Sequence, residues 1–297
     1  MDINSLQCFL SLAQYLNFTK TAEKEHLTQS SLSRKISVLE NELGIRLFER
    51  DSHQVTLTEA GKEFYYDTSK YMESYYAAVT RAQNIQNGFK RSLNIGIGLY
   101  EQDLLSGFLP GFMKRHPEIA LGCYQYSYLE LMERFEEGLV DVILTEDKYF
   151  NKFNLSKADV RLINDAPWML AVSERDPISD IPVLGREELE GKTIVTMSEE
   201  PAQELLEGYR LLGNFKNIIY VNSFASKMLM VNSGLGISII PSFVNTGAFA
   251  GIRKKMVKES YCPKTFYLVL RRQPEKNDAY VFAEEYMAAA VSISDKK

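Results

Sequence analysis

Residues 18–61, FTKTAEKEHLTQSSLSRKISVLENELGIRLFERDSHQVTLTEAG, decide the fold of the N-terminal part of this chain. Thr19 is a good residue to cap a short helix, and Thr28 is a second cap after a tight connection. Beyond Thr28, apolar residues spaced by four, three and four positions place one buried face on a second helix, which Gly44 ends in the left-handed conformation. The segment therefore predicts a helix-turn-helix.

The opposite face of the second helix carries short hydroxyls, an amide and two cations near the helix N-terminus. Such groups let the backbone approach phosphates, and Gln or Arg reach base edges in the major groove. An ordinary solvated helix face is the alternative for this helix taken alone. A short alternating strand follows, so the pattern indicates a winged helix-turn-helix over residues 1–58. The predicted DNA-binding residues are Thr28, Gln29, Ser30, Ser31, Ser33, Arg34, Lys35, Arg50 and His53.

Along essentially its whole length the chain resembles the LysR-type transcriptional regulators. The residues that carry the resemblance in the N-terminal part are Phe18-Thr19, Ala22, Gln29, Leu32-Ser33-Arg34, Ile36, Leu39-Glu40, Leu43-Gly44, Leu47-Phe48-Glu49-Arg50 and Leu57-Thr58-Glu59-Ala60-Gly61. Two positions depart from the family pattern, which usually has Pro at Ser30 and commonly Arg at His53. The first change weakens the pre-set helix start. The second replaces an arginine expected in the minor groove with a side chain that titrates near neutral pH.

The charge of the N-terminal part is unusual for a DNA-binding domain. Residues 1–61 hold six basic and eight acidic side chains, a net charge of −2. The basic footprint of a general nucleic-acid coater is therefore missing. Specific binding is expected to rest on a few placed contacts and on dimer geometry, with weak non-specific affinity.

The whole chain has the balance of a soluble globular protein, with 297 residues, a net charge of −5 and 45% hydrophobic residues. It opens without a basic start and a long apolar run, and no stretch approaches the roughly 20 apolar residues of a membrane span. We therefore expect a cytoplasmic protein. Cys8, Cys123 and Cys262 are expected to be reduced and buried.

A long linker helix is predicted over residues 59–89, ended by the break at 87–89. Its apolar positions alternate steps of four and three, a heptad seam. The seam residues are Phe64, Thr68, Tyr71, Tyr75, Ala78, Ala82, Ile85 and Phe89. A lone helix of this length has no core of its own, so a partner chain is expected to cover it as a homodimer; packing along its own domain is the alternative. The family resemblance implies a homotetramer.

Residues 92–297 alternate strands with helices, which predicts parallel strands with right-handed crossovers. Predicted helices include 104–116 in the first half and 201–212 in the second. The resemblance implies an effector-binding domain of two α/β lobes, like a periplasmic binding protein. Lobe I would comprise 92–162 and 266–297, and lobe II 163–265, with crossovers near 162–164 and 263–265. The predicted fold class is α+β multidomain.

In such a fold the ligand binds in the cleft outside the carboxyl ends of the strands. The predicted effector-binding residues are Leu99, Tyr100, Glu101, Ser127, Tyr128, Thr145, Glu146, Met197, Ser198, Glu199 and Phe224. Each has the alternative role of an ordinary loop side chain or a helix cap. The set holds carboxylates and aromatic rings but no Arg or Lys, which favours a neutral or cationic effector with a flat apolar part. Helix N-termini leave a small acid open.

Enzyme motifs are incomplete. Gly191-Lys192-Thr193 has Arg186 where a phosphate-binding loop needs glycine, so a turn leading into a strand is favoured. Gly96-Ile-Gly98 lacks the third glycine of a dinucleotide fingerprint. The three histidines are scattered, so no metal site, catalytic triad or cofactor is predicted.

Two functions remain open from the sequence. The favoured one is a sequence-specific, DNA-binding transcriptional regulator whose binding to promoter DNA changes when a small molecule binds between the lobes. The alternative is a small-molecule binding protein whose N-terminal helices serve only oligomeric assembly.

Overall fold

The computed structural model describes residues 2–50, 54–146, 155–197, 214–258, 264–272 and 277–294. The chain divides into two compact units, Met1–Asn87 and Gly88–Lys297. None of the helices in these described ranges is long and apolar enough to cross a membrane.

The first unit is a three-helix cluster followed by a hairpin and a long helix. Its elements are α1 (Ile3–Tyr15), α2 (Phe18–Lys24), α3 (Gln29–Leu43), β1 (Phe48–Arg50), β2 (Val55–Leu57) and α4 (Glu59–Gln86). Thr28 caps α3 and Gly44 ends it at φ 69°, as predicted. The cap of α2 is Asn17, whose side chain accepts from the backbone N–H of Lys20, so the prediction of Thr19 was wrong by two positions. Asn caps a helix at least as well as Thr, and Asn17 precedes Thr19, so the helix begins after the earlier of the two caps.

The core of this unit contains the predicted face of α3. Leu32, Ile36 and Leu39 are all buried and pack against α1. Phe9 of α1 is at the centre, with its ring 5.6 Å from that of Phe48 and 5.1 Å from that of Phe64. This core positions the polar face of α3 toward solvent, because a helix with one apolar stripe turns the rest of its surface outward.

The second unit begins with a five-stranded sheet. Its first elements are β3 (Arg91–Ile97), α5 (Gln102–Leu105), α6 (Leu109–Arg115), β4 (Ile119–Gln125), α7 (Tyr128–Glu137), β5 (Val142–Glu146) and β6 (Ala158–Ala166). The last strand, β13 (Lys264–Arg271), and the helix α10 (Asp278–Ser294) return to this sheet. The strand order is β4-β3-β5-β13-β6, with β3, β4 and β5 parallel and β13 antiparallel to both of its neighbours. We call this sheet with its helices lobe I.

The chain between β6 and β13 forms a second α/β layer, which we call lobe II. Its elements are β7 (Trp168–Ser173), β8 (Val183–Leu184), α8 (Arg186–Leu189), β9 (Thr193–Met197), β10 (Asn217–Val221), α9 (Phe224–Asn232), β11 (Ser238–Pro241) and β12 (Ile252–Val257). The order β11-β7-β12-β8 forms one sheet, and β9 pairs in parallel with β10. A parallel bridge between Ile194 and Ile237 joins the two groups of strands.

Several predictions for this unit were wrong or incomplete. The helix 104–116 is two helices, α5 and α6, because Gly107 interrupts it and Pro110 is tolerated only in the first turn of a new helix. The segment 162–164, predicted to lie at a crossover between the lobes, is part of β6, which pairs antiparallel with β13. The strands are therefore mixed rather than all parallel. The predicted helix 201–212 and Pro263 lie outside the described residues.

The cysteine prediction holds in part. Cys8 is free and buried, as expected, whereas Cys123 is free but exposed. The correction follows from topology, because β4 is an edge strand and its C-terminal half projects side chains to solvent. Cys262 lies outside the described residues.

Candidate DNA-binding surface and effector cleft

The N-terminus of α3 presents a cluster of exposed hydroxyls. The backbone N–H of Ser31 donates to Thr28 Oγ1 (3.2 Å), and the Thr28 hydroxyl donates to Ser31 Oγ (2.8 Å). Ser30 lies 3.1 Å from the same Thr28 oxygen, so the three side chains form one small network. Because the hydroxyls are short and solvent-exposed, this helix end is accessible to a phosphate.

Arg34 is the exposed cation on this face, one turn into α3. It makes no hydrogen bond or ion pair with any residue in the described part of the chain. Gln29 is likewise exposed, and Lys35 is half-buried beside them. An exposed guanidinium with no carboxylate partner retains its donors for an acceptor outside the protein.

Arg50, also predicted to contact DNA, is held by the protein itself. Its guanidinium donates to Ser33 Oγ and to Glu40 Oε2, each at 3.3 Å, and stacks 4.9 Å from the ring centre of Phe18. Glu40 Oε1 accepts from the backbone N–H of Leu47 at 2.8 Å, and also from that of the next residue. Glu40 therefore joins α3 to the first wing strand and fixes Arg50 beside α3. His53 lies outside the described residues.

We expect Glu40→Ala to lower the free energy of unfolding of the N-terminal unit by about 1–3 kcal/mol. The substitution leaves two partly buried backbone N–H groups without their acceptor and releases Arg50. Thermal unfolding of the full chain measures the change. Glu23→Ala removes an exposed carboxylate from α2 and is the matched control, expected to change stability by less than about 0.5 kcal/mol. Equal stability of the two variants would contradict this role for Glu40.

The predicted seam of α4 has two parts. Phe64 and Thr68 pack against the helices of their own unit, as does Met72. From Tyr71 to Ile85 the seam faces solvent in the single chain, and its exposed members are Tyr71, Tyr75, Ala78, Ala82 and Ile85; Phe89 is half-buried and lies beyond the end of α4. The intramolecular alternative therefore describes the start of the helix, and the rest of the seam is available to a second copy.

In the second unit, predicted effector residues meet at the carboxyl ends of β3 and β5. Glu101 and Glu146 are both fully buried. Glu101 Oε1 accepts from the Tyr128 hydroxyl (2.8 Å), and its Oε2 accepts from the backbone N–H of Tyr100 (3.0 Å). Gly98 makes room for this arrangement, because a Cβ there would lie 2.1 Å from the Tyr128 ring. The Gly96-Ile-Gly98 segment therefore serves packing.

Burial sets the ionisation of this cluster. Burial is the main reason that the pKa of Glu101 is raised to about 7; the nearby charge of Glu146 contributes to the rise, and the hydrogen bonds from Tyr100 and Tyr128 oppose it. Burial together with the Glu101 and Glu146 charges raises the pKa of Tyr128 well above its ordinary value. The Tyr128 phenol therefore stays protonated and acts as a hydrogen-bond donor.

Tyr100 extends from lobe I into lobe II. Its ring lies edge-on to Trp168 (6.3 Å between centres) and to Phe224 (5.9 Å). Its hydroxyl accepts from Lys227 Nζ at 2.9 Å, and the same ammonium donates to the Ile239 carbonyl at 2.9 Å. The two lobes therefore contact each other through this residue.

Sequence reasoning missed Lys227, which is 2% exposed, and Trp168. A signal for Lys227 was present, because it shares one face of α9 with Phe224 and Val231 at steps of three and four. A lysine on an apolar face is rarely buried without a partner. Nothing local marks Trp168 as a neighbour of Tyr100.

The remaining predicted residues divide by environment. Thr145 and Met197 are buried, Leu99 is half-buried, and Ser198 and Glu199 lie outside the described residues. Ser127 caps α7 in a reciprocal pair with Glu130, so its side chain already has the structural role given as its alternative.

Other motifs have structural roles. Lys192 pairs with Asp176 (2.7 Å) and leads into β9, which is the turn-to-strand arrangement favoured over a phosphate loop. Within the described ranges, no group of three or more His, Cys, Asp or Glu side chains is placed to hold a metal ion.

Family models match both units. Residues 3–62 match the bacterial regulatory helix-turn-helix protein, lysR family, and residues 86–289 match the LysR substrate binding domain. The chain belongs to the LysR family. Among curated relatives, the Hca operon transcriptional activator HcaR of Escherichia coli is 30% identical over 251 residues, covering 82% of this chain and 83% of that protein. The regulator BudR of Raoultella terrigena is 27% identical and covers 81% and 84%.

Solved structures of LysR regulators share the fold. The crystal structure of the regulator CbnR has a TM-score of 0.73 at 17% identity, covering 98% of this chain and 99% of that one. Full-length CbnR complexed with its target DNA gives 0.71 at 17% identity, with 98% and 100% covered. As a member of this family the chain is a DNA-binding transcriptional regulator with an effector-binding domain, and not an enzyme.

Proposed function

We propose that the chain reads promoter DNA through the exposed face at the start of α3, centred on Arg34. The observation that carries the proposal is the exposed Arg34 guanidinium, which has no partner in the described residues, beside the hydroxyl network of Thr28. Hydroxyls and helix N–H groups fix phosphates, and arginine discriminates between bases by bidentate contact. Arg50 has a lesser role, because its charge is shared with Glu40.

The test is a fluorescence titration of the full chain against the intergenic DNA upstream of its own gene, at two salt concentrations. Arg34→Ala is expected to lower specific affinity by about 10- to 100-fold, equivalent to the ~1–3 kcal/mol of one base contact. Arg81→Ala removes the same charge from an exposed site on α4 and is expected to leave that affinity almost unchanged. Equal losses in the two variants would reduce the effect to net charge and remove the base-reading role of Arg34.

Light scattering on the same samples verifies that Arg34→Ala keeps the oligomeric state of the wild type, so that a loss of affinity reports on the DNA contact itself.

We further propose a homodimer formed through α4 and, by family resemblance, a homotetramer. Two recognition helices held by one dimer read two half-sites about one DNA turn apart, roughly 34 Å. The exposed seam from Tyr71 to Ile85 supports the dimer.

The effector is proposed to bind between the lobes, near Tyr100, Glu101 and Phe224. A ligand changes promoter binding only if it favours one lobe arrangement over another. Contacts between the lobes supply that difference, since Tyr100 bonds to Lys227 and Asp103 Oδ2 accepts from the Asn245 backbone N–H at 2.7 Å.

A further inference from the structure

Tyr100 belongs to lobe I by chain order, but its side chain is buried in lobe II. It follows β3 of lobe I and is 6% exposed. The other buried residues of its hydrophobic cluster in the described structure come from lobe II, among them Val195 of β9, Met228 of α9 and Ile240 of β11. The connection between β3 and α5 therefore inserts one phenol ring into the core of the other lobe.

The surroundings of this ring match a phenol at both ends. Trp168 and Phe224 stand edge-on to it, with interplanar angles of 88° and 86°, which is a preferred arrangement of aromatic rings. At the polar end, Lys227 Nζ donates to the hydroxyl oxygen at 2.9 Å and lies 5.4 Å from the ring centre. The pocket therefore recognises a flat ring and a hydroxyl oxygen together.

The groups that form this pocket remain with lobe II. Lys227 lies on α9, and its ammonium also donates to the Ile239 carbonyl of β11 at 2.9 Å, so a contact within lobe II holds it in place. Withdrawal of Tyr100 would remove one acceptor from this buried ammonium and expose the apolar pocket, and both changes are unfavourable. An occupant that supplies both a ring and an oxygen is therefore favoured.

Tyr100 itself is fixed to lobe I through its backbone. Its N–H donates to Glu101 Oε2 at 3.0 Å, and Glu101 Oε1 accepts from the Tyr128 hydroxyl of α7 at 2.8 Å. When the lobes separate, the ring moves with lobe I and the pocket stays with lobe II. The pocket and its occupant are thus on different bodies of the domain.

We propose that Tyr100 is the intramolecular occupant of a phenol-binding pocket on lobe II, and that the effector is a neutral phenol that displaces it. This proposal rests on the proposed effector site between the lobes and names the chemical class that the site takes. The hydroxyl of the ligand accepts from Lys227, and its ring replaces that of Tyr100 beside Trp168 and Phe224. The tethered Tyr100 ring competes at an effective concentration on the order of millimolar, so the contact is autoinhibitory.

The test is a titration of the full chain with 4-methylphenol, which is the tyrosine side chain as a free molecule. Trp168 is the single tryptophan of the chain, so its fluorescence, excited beyond the absorption of phenols, reports on the pocket. The wild type is expected to show saturable binding with a Kd in the millimolar range, because the ligand competes with Tyr100.

Variants of Tyr100 separate displacement from simple cavity filling. Tyr100→Phe keeps the ring but loses the bond to Lys227, so 4-methylphenol is expected to bind about 10-fold more tightly than to the wild type. Tyr100→Ala removes the competitor and is expected to bind more tightly still. Tyr286→Phe removes a buried hydroxyl that donates to the Leu104 carbonyl of lobe I, and this matched control should bind as the wild type does.

Two results would overturn the displacement. Binding to Tyr100→Ala, with no saturable change in the wild type and Tyr100→Phe up to about 20 mM, would indicate an engineered cavity only. Equal affinity in all three proteins would place the phenol outside this pocket. Thermal unfolding verifies that each variant is folded.

Probes of the same size test the chemical class. In Tyr100→Ala, toluene is expected to bind at least about 10-fold more weakly than 4-methylphenol, because it offers no oxygen to Lys227. Lys227→Met in the same background is expected to remove this preference. The toluene comparison leaves Lys227 intact, so it decides the assignment even if the double variant does not fold. Equal binding of toluene and 4-methylphenol, or tighter binding of 4-methylbenzoate, would overturn the assignment of a neutral phenol.

Promoter titrations on the same proteins without probe separate this proposal from the proposed function. Binding of 4-methylphenol with no DNA binding would leave the phenol pocket intact and remove the proposed role of α3. DNA binding with no phenol binding to the wild type or Tyr100→Phe would do the reverse.

Discussion

A chain that carries both Ala78→Glu and Ala82→Glu is expected to be a monomer and to bind promoter DNA at least about 100-fold more weakly than the wild type. Both alanines are exposed in the single chain and lie in the α4 seam. In a dimer the seam meets its own copy, so the substitutions bury four carboxylates against one another. The loss of one half-site accounts for the loss in affinity, because the second recognition helix no longer binds at a high effective concentration.

The experiment combines light scattering, which gives the oligomeric state, with DNA titration. Thr80→Glu with Gln83→Glu is the matched control, because it adds the same two charges to exposed positions away from the seam. Glu is nearly as good a helix former as Ala, so α4 itself should persist in the seam variant. A dimer that survives the seam substitutions would assign the interface to another surface and contradict the role of α4.

The α4 seam also shows which structural information a periodic sequence pattern provides and which it lacks. Steps of three and four identify one face of a helix, and that face was predicted from Phe64 to Phe89. The pattern does not distinguish an intramolecular partner from an intermolecular one. Phe64 and Thr68 pack on their own unit, whereas Tyr71 is exposed although its neighbour Met72 is buried, so the seam and the intramolecular face diverge along α4.

Local signals were sufficient for both ends of α3 but not for the start of α2, whose cap is Asn17 and not Thr19. Thr28 and Gly44 bound α3 as predicted, since a cap bonds within three residues of itself. Gly107 and Pro110 also indicate the interruption between α5 and α6. The prediction of one helix over 104–116 did not take these local signals into account. The strand β6 was not predicted, although Asp159-Val160-Arg161-Leu162 alternates polar and apolar residues as a half-exposed strand does; its pairing with β13 identifies it.

The effector cleft was predictable only in part. Tyr100 and Glu101 follow β3, and Tyr128 follows β4. These residues come together because the carboxyl ends of parallel strands lie on the same side of a sheet, which the chain order already implies. The bond from Lys227 to Tyr100 joins residues 127 positions apart. No local pattern encodes such a contact, and it changes the charge expected in the cleft. The prediction that the site residues include no cation is therefore incomplete.

Gly61→Ala is expected to destabilise the N-terminal unit by about 3 kcal/mol or more, enough to abolish promoter binding near its unfolding transition. A Cβ at this position would lie 2.1 Å from the carbonyl oxygen of Leu47. That oxygen is on the backbone and accepts from the Thr58 N–H at 3.0 Å, while the Leu47 side chain is fully buried. The Leu47 carbonyl cannot move aside without breaking its hydrogen bond with the Thr58 N–H, which links the wing to α4. The alanine variant must therefore either lose this bond or strain the backbone around it. The glycine of the Thr-Glu-Ala-Gly motif is therefore a packing requirement.

Thermal unfolding of the full chain is expected to show the effect in one transition only, because Met1–Asn87 and Gly88–Lys297 are separate compact units. A loss of about 3 kcal/mol corresponds to a fall of roughly 12–24 °C in the Tm of a unit this small. Gly107→Ala is the matched control, since a Cβ there meets no atom within 4 Å, and it should leave both transitions nearly unchanged. If Gly61→Ala instead shifted both transitions equally, the two units would unfold together. The contact between Gly61 and Leu47 would then support the whole chain, and loss of DNA binding in the variant would no longer report on the winged helix alone.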